Sequence, residues 1–283
     1  MPRSARFSAL LVMPLRCIRV WGLALGLAAS VLVPGSGFAA TLLESSRSVL
    51  VSTFLNVDGS APDNDQRGFQ STAPGFFLEA AVGGVRFGDF AVANAEATQE
   101  STLAVLGGGG LSLSAGGAAG VSFDVADEGF PSRAEGLAES RFFMIFEVEQ
   151  PSAFALGLSL SADLEDLLLF SGTPQADAEL VATLQLTGLR SGLIVEREVR
   201  DEVDDLDSFF DEYALEGVLA PDTYSLEIAA TADLRGFENA SGFGTSGYGV
   251  SFTVVPEPGT ALLLGLGLVG LALRWNGPLD DCV

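Results

Sequence analysis

The chain has 283 residues, of which 37 are acidic and 14 are arginine, and with neither lysine nor histidine its formal net charge is −23 at pH 7. The absence of histidine and lysine excludes Ser-His-Asp and Cys-His catalytic sites, Schiff-base chemistry and the phosphate-binding lysine of P-loop proteins. The negative charge argues against nucleic acid as a partner, because phosphates are neutralised by lysine and arginine.

The first 39 residues have the features of a secretory signal peptide. Arginines precede an apolar run from Val20 to Val33, and small residues follow at Gly37 and Ala39. A basic start, a short apolar core and small residues before the cut are typical of such signals. We therefore predict cleavage between Ala39 and Ala40.

Two alternatives to this interpretation of the first 39 residues stay open. Translation could start at Met13 instead of Met1, which would give a signal of more usual length. The apolar run could also be an N-terminal membrane anchor, although it is shorter than the roughly 20 residues that a span needs.

Residues 40–255 alternate between apolar and polar side chains in short stretches, the period of a β-strand. The clearest is residues 138–149, where one face is apolar from residue 142 onward and the other is apolar only in the middle, so we predict a central strand. Similar stretches occur at 49–57, 76–82, 85–95, 111–114, 121–125, 154–160, 178–186, 224–230 and 248–254. About ten strands separated by turn residues predict an all-β fold, an antiparallel β-sandwich of Greek-key or jelly-roll type.

Three segments of this body predict irregular structure. Residues 58–75 are polar and contain two prolines, which indicates a loop. Residues 106–120 contain seven glycines and indicate a mobile hairpin or a disordered connection. Within residues 196–216, an acidic stretch, the apolar side chains at 206, 209, 210 and 213 recur at helical spacing and predict one short amphipathic helix.

A turn before one predicted strand resembles a tyrosine corner, in which a tyrosine hydroxyl bonds a backbone group a few residues upstream. Pro221 and Asp222 form the turn, and Tyr224 stands at the start of the strand. An ordinary surface hairpin with a half-buried tyrosine is the alternative.

The remaining chemistry in the body is that of carboxylates. Calcium accepts oxygen ligands, and two acidic groups are weak candidates for it: Asp58, Asp63 and Asp65 in the first, and Asp201, Asp204 and Asp205 in the second. Neither fits an EF-hand loop. A solvated acidic surface is the competing interpretation, so we predict no cofactor apart from this calcium alternative and no enzymatic activity. A pair of acids acting as a glycoside hydrolase is a further alternative.

Residues 256–283 begin with Pro256, Glu257 and Pro258, continue with an uncharged apolar stretch at 260–273, and reach Arg274 and Trp275 at its end. The stretch predicts a hydrophobic helix, and arginine and tryptophan suit a membrane interface. This order of features resembles the PEP-CTERM sorting signal of exported Gram-negative proteins. The family usually closes with several arginines, whereas this chain has Arg274 alone and then Asp280 and Asp281.

The resemblance implies recognition by an exosortase, a membrane protease, and an association with exopolysaccharide and biofilm. It divides the chain into a signal peptide at 1–39, a β-sandwich body at 40–255 and a sorting and anchor segment at 256–283. We therefore expect an exported, non-enzymatic surface or matrix protein, anchored in the membrane or released, with a structural or adhesive role. A polysaccharide-binding or calcium-binding sandwich is the rival, and the lack of tryptophan in the body counts against sugar stacking.

Overall fold

The structure is a computed structural model that describes residues 40–57, 60–88, 90–107, 109–125, 132–169, 176–202, 209–237 and 240–256, with the side chains of 166–169 left aside. The chain divides into two units, Met1–Ser36 and Gly37–Val283, and every described residue belongs to the second. The predicted signal peptide through Ala39 and the hydrophobic segment at 260–273 lie outside the described residues.

Twelve strands account for nearly all of the described residues, because almost every segment has the period-two alternation that buries one face of a strand. They are β1 (Ala40–Val57), β2 (Asp63–Ser71), β3 (Gly75–Phe87), β4 (Ala91–Leu106), β5 (Gly110–Val125), β6 (Ser132–Val148), β7 (Ser152–Leu169), β8 (Ala176–Gly188), β9 (Gly192–Glu202), β10 (Phe209–Leu219), β11 (Asp222–Phe237) and β12 (Ala240–Pro256).

The strands form two antiparallel six-stranded sheets. The order is β2-β1-β6-β11-β8-β9 in sheet A and β10-β7-β12-β5-β4-β3 in sheet B. The predicted all-β sandwich is therefore confirmed, and so is the central strand at 138–149, since β6 lies between β1 and β11. Many neighbouring strands are distant in sequence, an order typical of Greek-key and jelly-roll sandwiches.

The core lies between the two sheets and is built from the alternate, inward-facing residues of each strand. An aromatic cluster joins the sheets near one end. Phe146 of sheet A lies 5.5 Å, between ring centroids, from both Tyr224 in the same sheet and Phe252 in sheet B. Phe154 extends the cluster, with its ring 6.3 Å from that of Phe252.

Both ends of the described body lie at one end of the sandwich, which we call the chain-end pole. The amide of Ala40, the first residue of β1, donates to the carbonyl of Gly109 in the β4–β5 turn at 2.7 Å. Pro256, the last residue of β12, pairs with Ser152 at the start of β7. Ala40 pairs with Val148 at the end of β6, and a short turn joins Val148 to Ser152, so Ala40 and Pro256 lie at the same end. The turns after Val57 and Phe87 lie at the opposite end, the distal pole.

The three predictions of irregular structure are wrong in part. Residues 63–71, predicted to belong to a loop, form β2, an edge strand that pairs only with β1 and therefore needs no second apolar face. The glycine-rich segment 106–120 contains the β4–β5 turn, but Gly110 onward is strand β5. Glycine is required there because a Cβ on Gly117 would collide with the Ser140 hydroxyl and the ring of Tyr248.

The predicted amphipathic helix is also wrong where it can be compared, because residues 209–219 form strand β10. Phe209 and Tyr213 pack against the core, whereas Phe210 is exposed. Alternate residues thus point to opposite faces, and pairing with β7 determines the strand conformation. Leu206 lies outside the described residues.

Candidate functional site

The turn between β10 and β11 is closed by Tyr224. Its hydroxyl donates to the carbonyl of Ala220, four residues upstream, at 2.9 Å, which is the hydrogen bond that defines a tyrosine corner. The side chain is buried and stacks on Phe146. The corner carries the chain from sheet B to sheet A at the chain-end pole.

Asp222, in the same turn, holds the neighbouring β8–β9 turn in place. Its Oδ2 accepts hydrogen bonds from the amides of Arg190 and Ser191 and from the Ser191 hydroxyl at 2.8–2.9 Å, and Oδ1 accepts one from the amide of Thr223 at 2.8 Å. Burial alone would raise the pKa of Asp222, but these hydrogen bonds outweigh it and lower the pKa to about 2.

We expect Asp222→Asn to destabilise the fold in a pH-dependent way, because an amide NH₂ group cannot accept the hydrogen bonds of the β8–β9 turn. The ionised carboxylate contributes stability above its ordinary pKa of 3.8, and this contribution is lost as the pH falls through about 2. Urea unfolding of the wild type and of Asp222→Asn, from neutral pH to about pH 2, measures the difference in their free energies of unfolding. We expect this difference to be largest at neutral pH and to shrink on acidification. Glu216→Gln, an exposed change on β10, is the control; a constant difference for Asp222→Asn would contradict the assignment.

The calcium candidates are only partly described. Asp63 and Asp65 both lie on β2, where the Asp65 carboxylate pairs with Arg67 at 2.9 Å and accepts the amide of Gly84 at 3.3 Å. These two contacts lower the pKa of Asp65. Asp201 lies on β9, buried, and its Oδ2 accepts the amide of Leu164 at 2.9 Å. Asp58, Asp204 and Asp205 lie outside the described residues, and within those residues no three acidic side chains form a group that could hold a metal ion.

A buried polar cluster between β1 and β4 is a feature that the sequence interpretation missed. Arg47 is 1% exposed, and its Nε and Nη2 have no hydrogen-bond partner among the residues that the structure describes. Gln99 and Ser101 are buried on β4, and their side-chain polar atoms also have no partner within this part of the chain. Arg47 lies 5.9 Å from the ring centroids of Phe77 and Phe142, and burial lowers its pKa. The sequence did contain a signal for this burial. Arg47 lies two residues before the buried Val49, and residues two apart in a strand share one face.

The outer faces of the two sheets differ in charge. Ion pairs cover sheet A: Arg141 lies 2.9 Å from Glu139, and Arg200 pairs with Glu179, Glu198 and Glu202 at 3.0–3.3 Å. In sheet B the described strands contain one arginine, Arg86, and the outer face of β5, β12 and β7 consists mainly of glycine, alanine, serine and threonine.

A shallow groove of about 380 Å³ crosses the outer face of sheet B. Its lining includes Val82, Asn94, Thr98, Phe243 and Thr245. Small apolar residues make up much of the remaining lining, and the carboxylate of Glu96 is part of it. The groove therefore combines an apolar floor and one partly exposed aromatic ring with a few hydroxyl and amide groups and one acid.

The sorting segment continues directly from strand β12. Val254 is buried, Val255 is exposed, and Pro256 ends the strand, since proline cannot donate to the sheet. Residues 254–274 match the model of the PEP-CTERM protein-sorting motif. The chain carries a PEP-CTERM motif. The resemblance predicted from the sequence is thereby confirmed, and the PEP-CTERM match indicates an exported, sorted protein.

The structure places the residues of the PEP-CTERM segment only at its start. Pro256 is described, whereas Glu257, Pro258, Arg274 and Trp275 lie outside the described residues, and Ala40 is described without Ala39. Among the described residues there is no helix with the length and hydrophobicity of a membrane span.

Comparison with other known proteins adds little to the PEP-CTERM match. A search of the curated proteins finds no match. Among solved structures, a chain of the T13 IBDV viral particle is 10% identical to this chain, with a TM-score of 0.15. The alignment covers 82% of this chain and 67% of the viral chain. The Gt strain of infectious bursal disease virus is 12% identical over 81% and 69%, with a TM-score of 0.16. Likenesses with such TM-scores carry no inference about function.

Proposed function

We propose that this chain is an exported, non-enzymatic surface protein of a Gram-negative bacterium, with a structural or adhesive role in an exopolysaccharide matrix or biofilm. An exosortase-type membrane protease would recognise Pro256, Glu257 and Pro258. The single observation that carries the proposal is the PEP-CTERM motif at 254–274, which begins within the last three residues of strand β12.

The position of the two chain ends supports display from a membrane. Signal cleavage after Ala39 would leave Ala40 as the first residue of β1, and the apolar segment at 260–273 follows Pro256. Ala40 and Pro256 both lie at the chain-end pole. An anchor in the membrane would therefore hold the sandwich by this pole, with the distal pole outermost, and cleavage by the exosortase would release the whole body.

The composition of the body supports a non-enzymatic role without a cofactor. Residues 40–255 contain nine arginines and 34 acids, a formal charge of −25, and no cysteine, histidine or lysine. Such a charge keeps an exported protein soluble through self-repulsion. The groove on sheet B, where threonine, asparagine and Glu96 side chains lie around Phe243, supports contact with exopolysaccharide as part of the same role.

Export and sorting can be tested by mass spectrometry of the chain purified from its own host, together with cell fractionation. We expect the N-terminus at Ala40, the body in the envelope or the medium, and a C-terminus upstream of Val283 when the exosortase is present. The double variant Glu257→Ala/Pro258→Ala should remain cell-associated with its C-terminus at Val283, because the protease no longer recognises it.

Glu216→Ala, which removes an exposed acid from β10, is the matched control and should be sorted like the wild type. A wild-type chain that keeps both Met1 and Val283 in the soluble cytoplasmic fraction would refute the proposed export. Identical processing of the double variant and the control would refute recognition through Glu257 and Pro258.

A further inference from the structure

The buried polar cluster between β1 and β4 joins the two sheets. In sheet A, Arg47 of β1 pairs with Phe142 of β6. In sheet B, Ser101 of β4 pairs with Phe77 of β3, and Gln99 is the preceding inward-facing residue of β4. The guanidinium lies 5.9 Å from the ring centroids of both Phe77 and Phe142. Arg47 therefore reaches across the core to the row of sheet B that contains Ser101, beside Gln99.

The unpaired atoms of Arg47 form one side of its guanidinium. The Nε–H bond and one Nη2–H bond run side by side, and such a fork can bind one anion with two hydrogen bonds. Neither nitrogen has a hydrogen-bond partner among the described residues. Because a guanidinium stays protonated in proteins, the fork is a buried positive charge that this part of the chain leaves uncompensated.

Gln99 and Ser101 add two further groups without partners to the same part of the core. Each residue is 1% exposed, and the Gln99 amide and the Ser101 hydroxyl have no hydrogen-bond partner within the described ranges. The amide NH₂ and the hydroxyl are both potential donors. Since buried polar groups in native proteins are nearly always hydrogen-bonded, three such side chains together indicate a bound group that the chain does not supply.

The acidic side chains on the neighbouring strands do not neutralise Arg47. Glu79, the register partner of Gln99 on β3, is half-buried, and its carboxylate accepts no hydrogen bond from Nε or Nη2 of Arg47. Glu100, which lies between Gln99 and Ser101 in β4, is exposed on the opposite face of the strand. An anion from solution would supply the missing charge.

We propose that the core of the sandwich binds one small monovalent anion, of the size of chloride, between the Nε–Nη2 fork of Arg47 and the donors of Gln99 and Ser101. A water molecule can accept the same hydrogen bonds, but it carries no charge and would leave the guanidinium uncompensated. The rings of Phe77 and Phe142 border the guanidinium, which favours a small ion over a larger organic acid.

The proposed anion site lies near an edge of the sandwich. Arg47 pairs with Ser71, the last residue of β2, and the chain then crosses to sheet B through residues 72–74, which are exposed. Strand β3 begins at Gly75, two residues before Phe77. The ion exchanges with solvent through local opening of this crossover.

Urea unfolding at different chloride concentrations tests the site. The purified full chain, in detergent, is unfolded in mixtures of sodium chloride and sodium gluconate at constant ionic strength, so that screening of the acidic surface does not change. Gluconate is too bulky for an enclosed site. Above the Kd, one bound chloride should raise the folding equilibrium constant about tenfold for each tenfold rise in chloride. A wild-type chain of equal stability in both salts would overturn the proposal.

Arg47→Met removes the fork and its charge, so its stability should not respond to chloride. In gluconate this variant should be more stable than the wild type, because an uncompensated buried charge is lost, and the advantage should shrink as chloride rises. Arg200→Met, which changes an exposed arginine on β9, is the control and should respond like the wild type. A chloride response that Arg47→Met keeps in full would arise elsewhere on the protein and would overturn the proposal.

Ser101→Ala is a smaller change that keeps the charge of Arg47. With one donor lost, it should need a higher chloride concentration than the wild type for the same stabilisation. Ser114→Ala, at an exposed serine on the neighbouring strand β5, is the matched control and should keep the wild-type chloride dependence. An unchanged chloride dependence of Ser101→Ala would overturn the assignment of this hydroxyl to the site.

Bromide gives a direct view of the ion, because its anomalous scattering distinguishes it from water. Crystals of the full chain grown in sodium bromide should show one anomalous peak within hydrogen-bonding distance of Nε and Nη2 of Arg47. A water molecule only, without anomalous signal at that position, would overturn the proposal, as would bromide found on the surface alone. Neither measurement depends on how the chain is sorted.

Discussion

Phe146→Ala is expected to lower the free energy of unfolding by about 3–5 kcal/mol. Phe146 is completely buried on β6 and its ring contacts Tyr224 of sheet A and Phe252 of sheet B. Truncation removes the transfer free energy of the ring and leaves a cavity at the point where the two sheets meet. The free energy of unfolding of an ordinary domain is about 5–15 kcal/mol, so this substitution would remove a large part of it.

Urea unfolding measures this loss, with Phe210→Ala as the control. Phe210 is 64% exposed on β10, and its truncation should change the stability by less than about 0.5 kcal/mol. If Phe146→Ala cost less than about 1 kcal/mol, the aromatic cluster would not be the joint between the two sheets. The cluster lies beside the tyrosine corner, so the same variant should loosen the chain-end pole first.

Arg47→Met is expected to stabilise the protein, by about 1–4 kcal/mol, which is the opposite sign from most core substitutions. The guanidinium of Arg47 is buried, and its Nε and Nη2 lack hydrogen-bond partners in the described part of the chain. Its contacts with the rings of Phe77 and Phe142, at 5.9 Å, offset only part of the cost of removing a charge from water. Methionine has a similar length and adapts to irregular space.

The control for Arg47→Met is Arg200→Met on β9, where the arginine is solvent-exposed and surrounded by three glutamates. Its loss should destabilise by at most about 1 kcal/mol, because exposed ion pairs contribute little. A destabilised Arg47→Met chain in the same urea experiment would show that the buried guanidinium has compensating partners. A stabilised chain would indicate that Arg47 is retained for a reason other than stability.

Several features of this protein follow from the sequence alone, because they depend on local order along the chain. Period-two alternation predicted the all-β sandwich and the central position of the strand at 138–149, which the structure shows as β6, Ser132–Val148. The PEP-CTERM segment could be recognised because a sorting signal is a linear series of residues. The same alternation of inward-facing and outward-facing residues, applied to β1, would also have placed Arg47 in the core.

The tertiary structure decided the features that depend on contacts between distant residues. Residues 209–219 have the spacing of a helix but become strand β10, because β7 supplies hydrogen-bond partners along their whole length. Gly117 of β5 has to be glycine because a Cβ there would collide with Ser140 of the opposite sheet and with the ring of Tyr248. The order of the strands made β3 an edge and brought Ala40 and Pro256 to one pole, since sheet order is set by long-range pairing that local alternation does not encode.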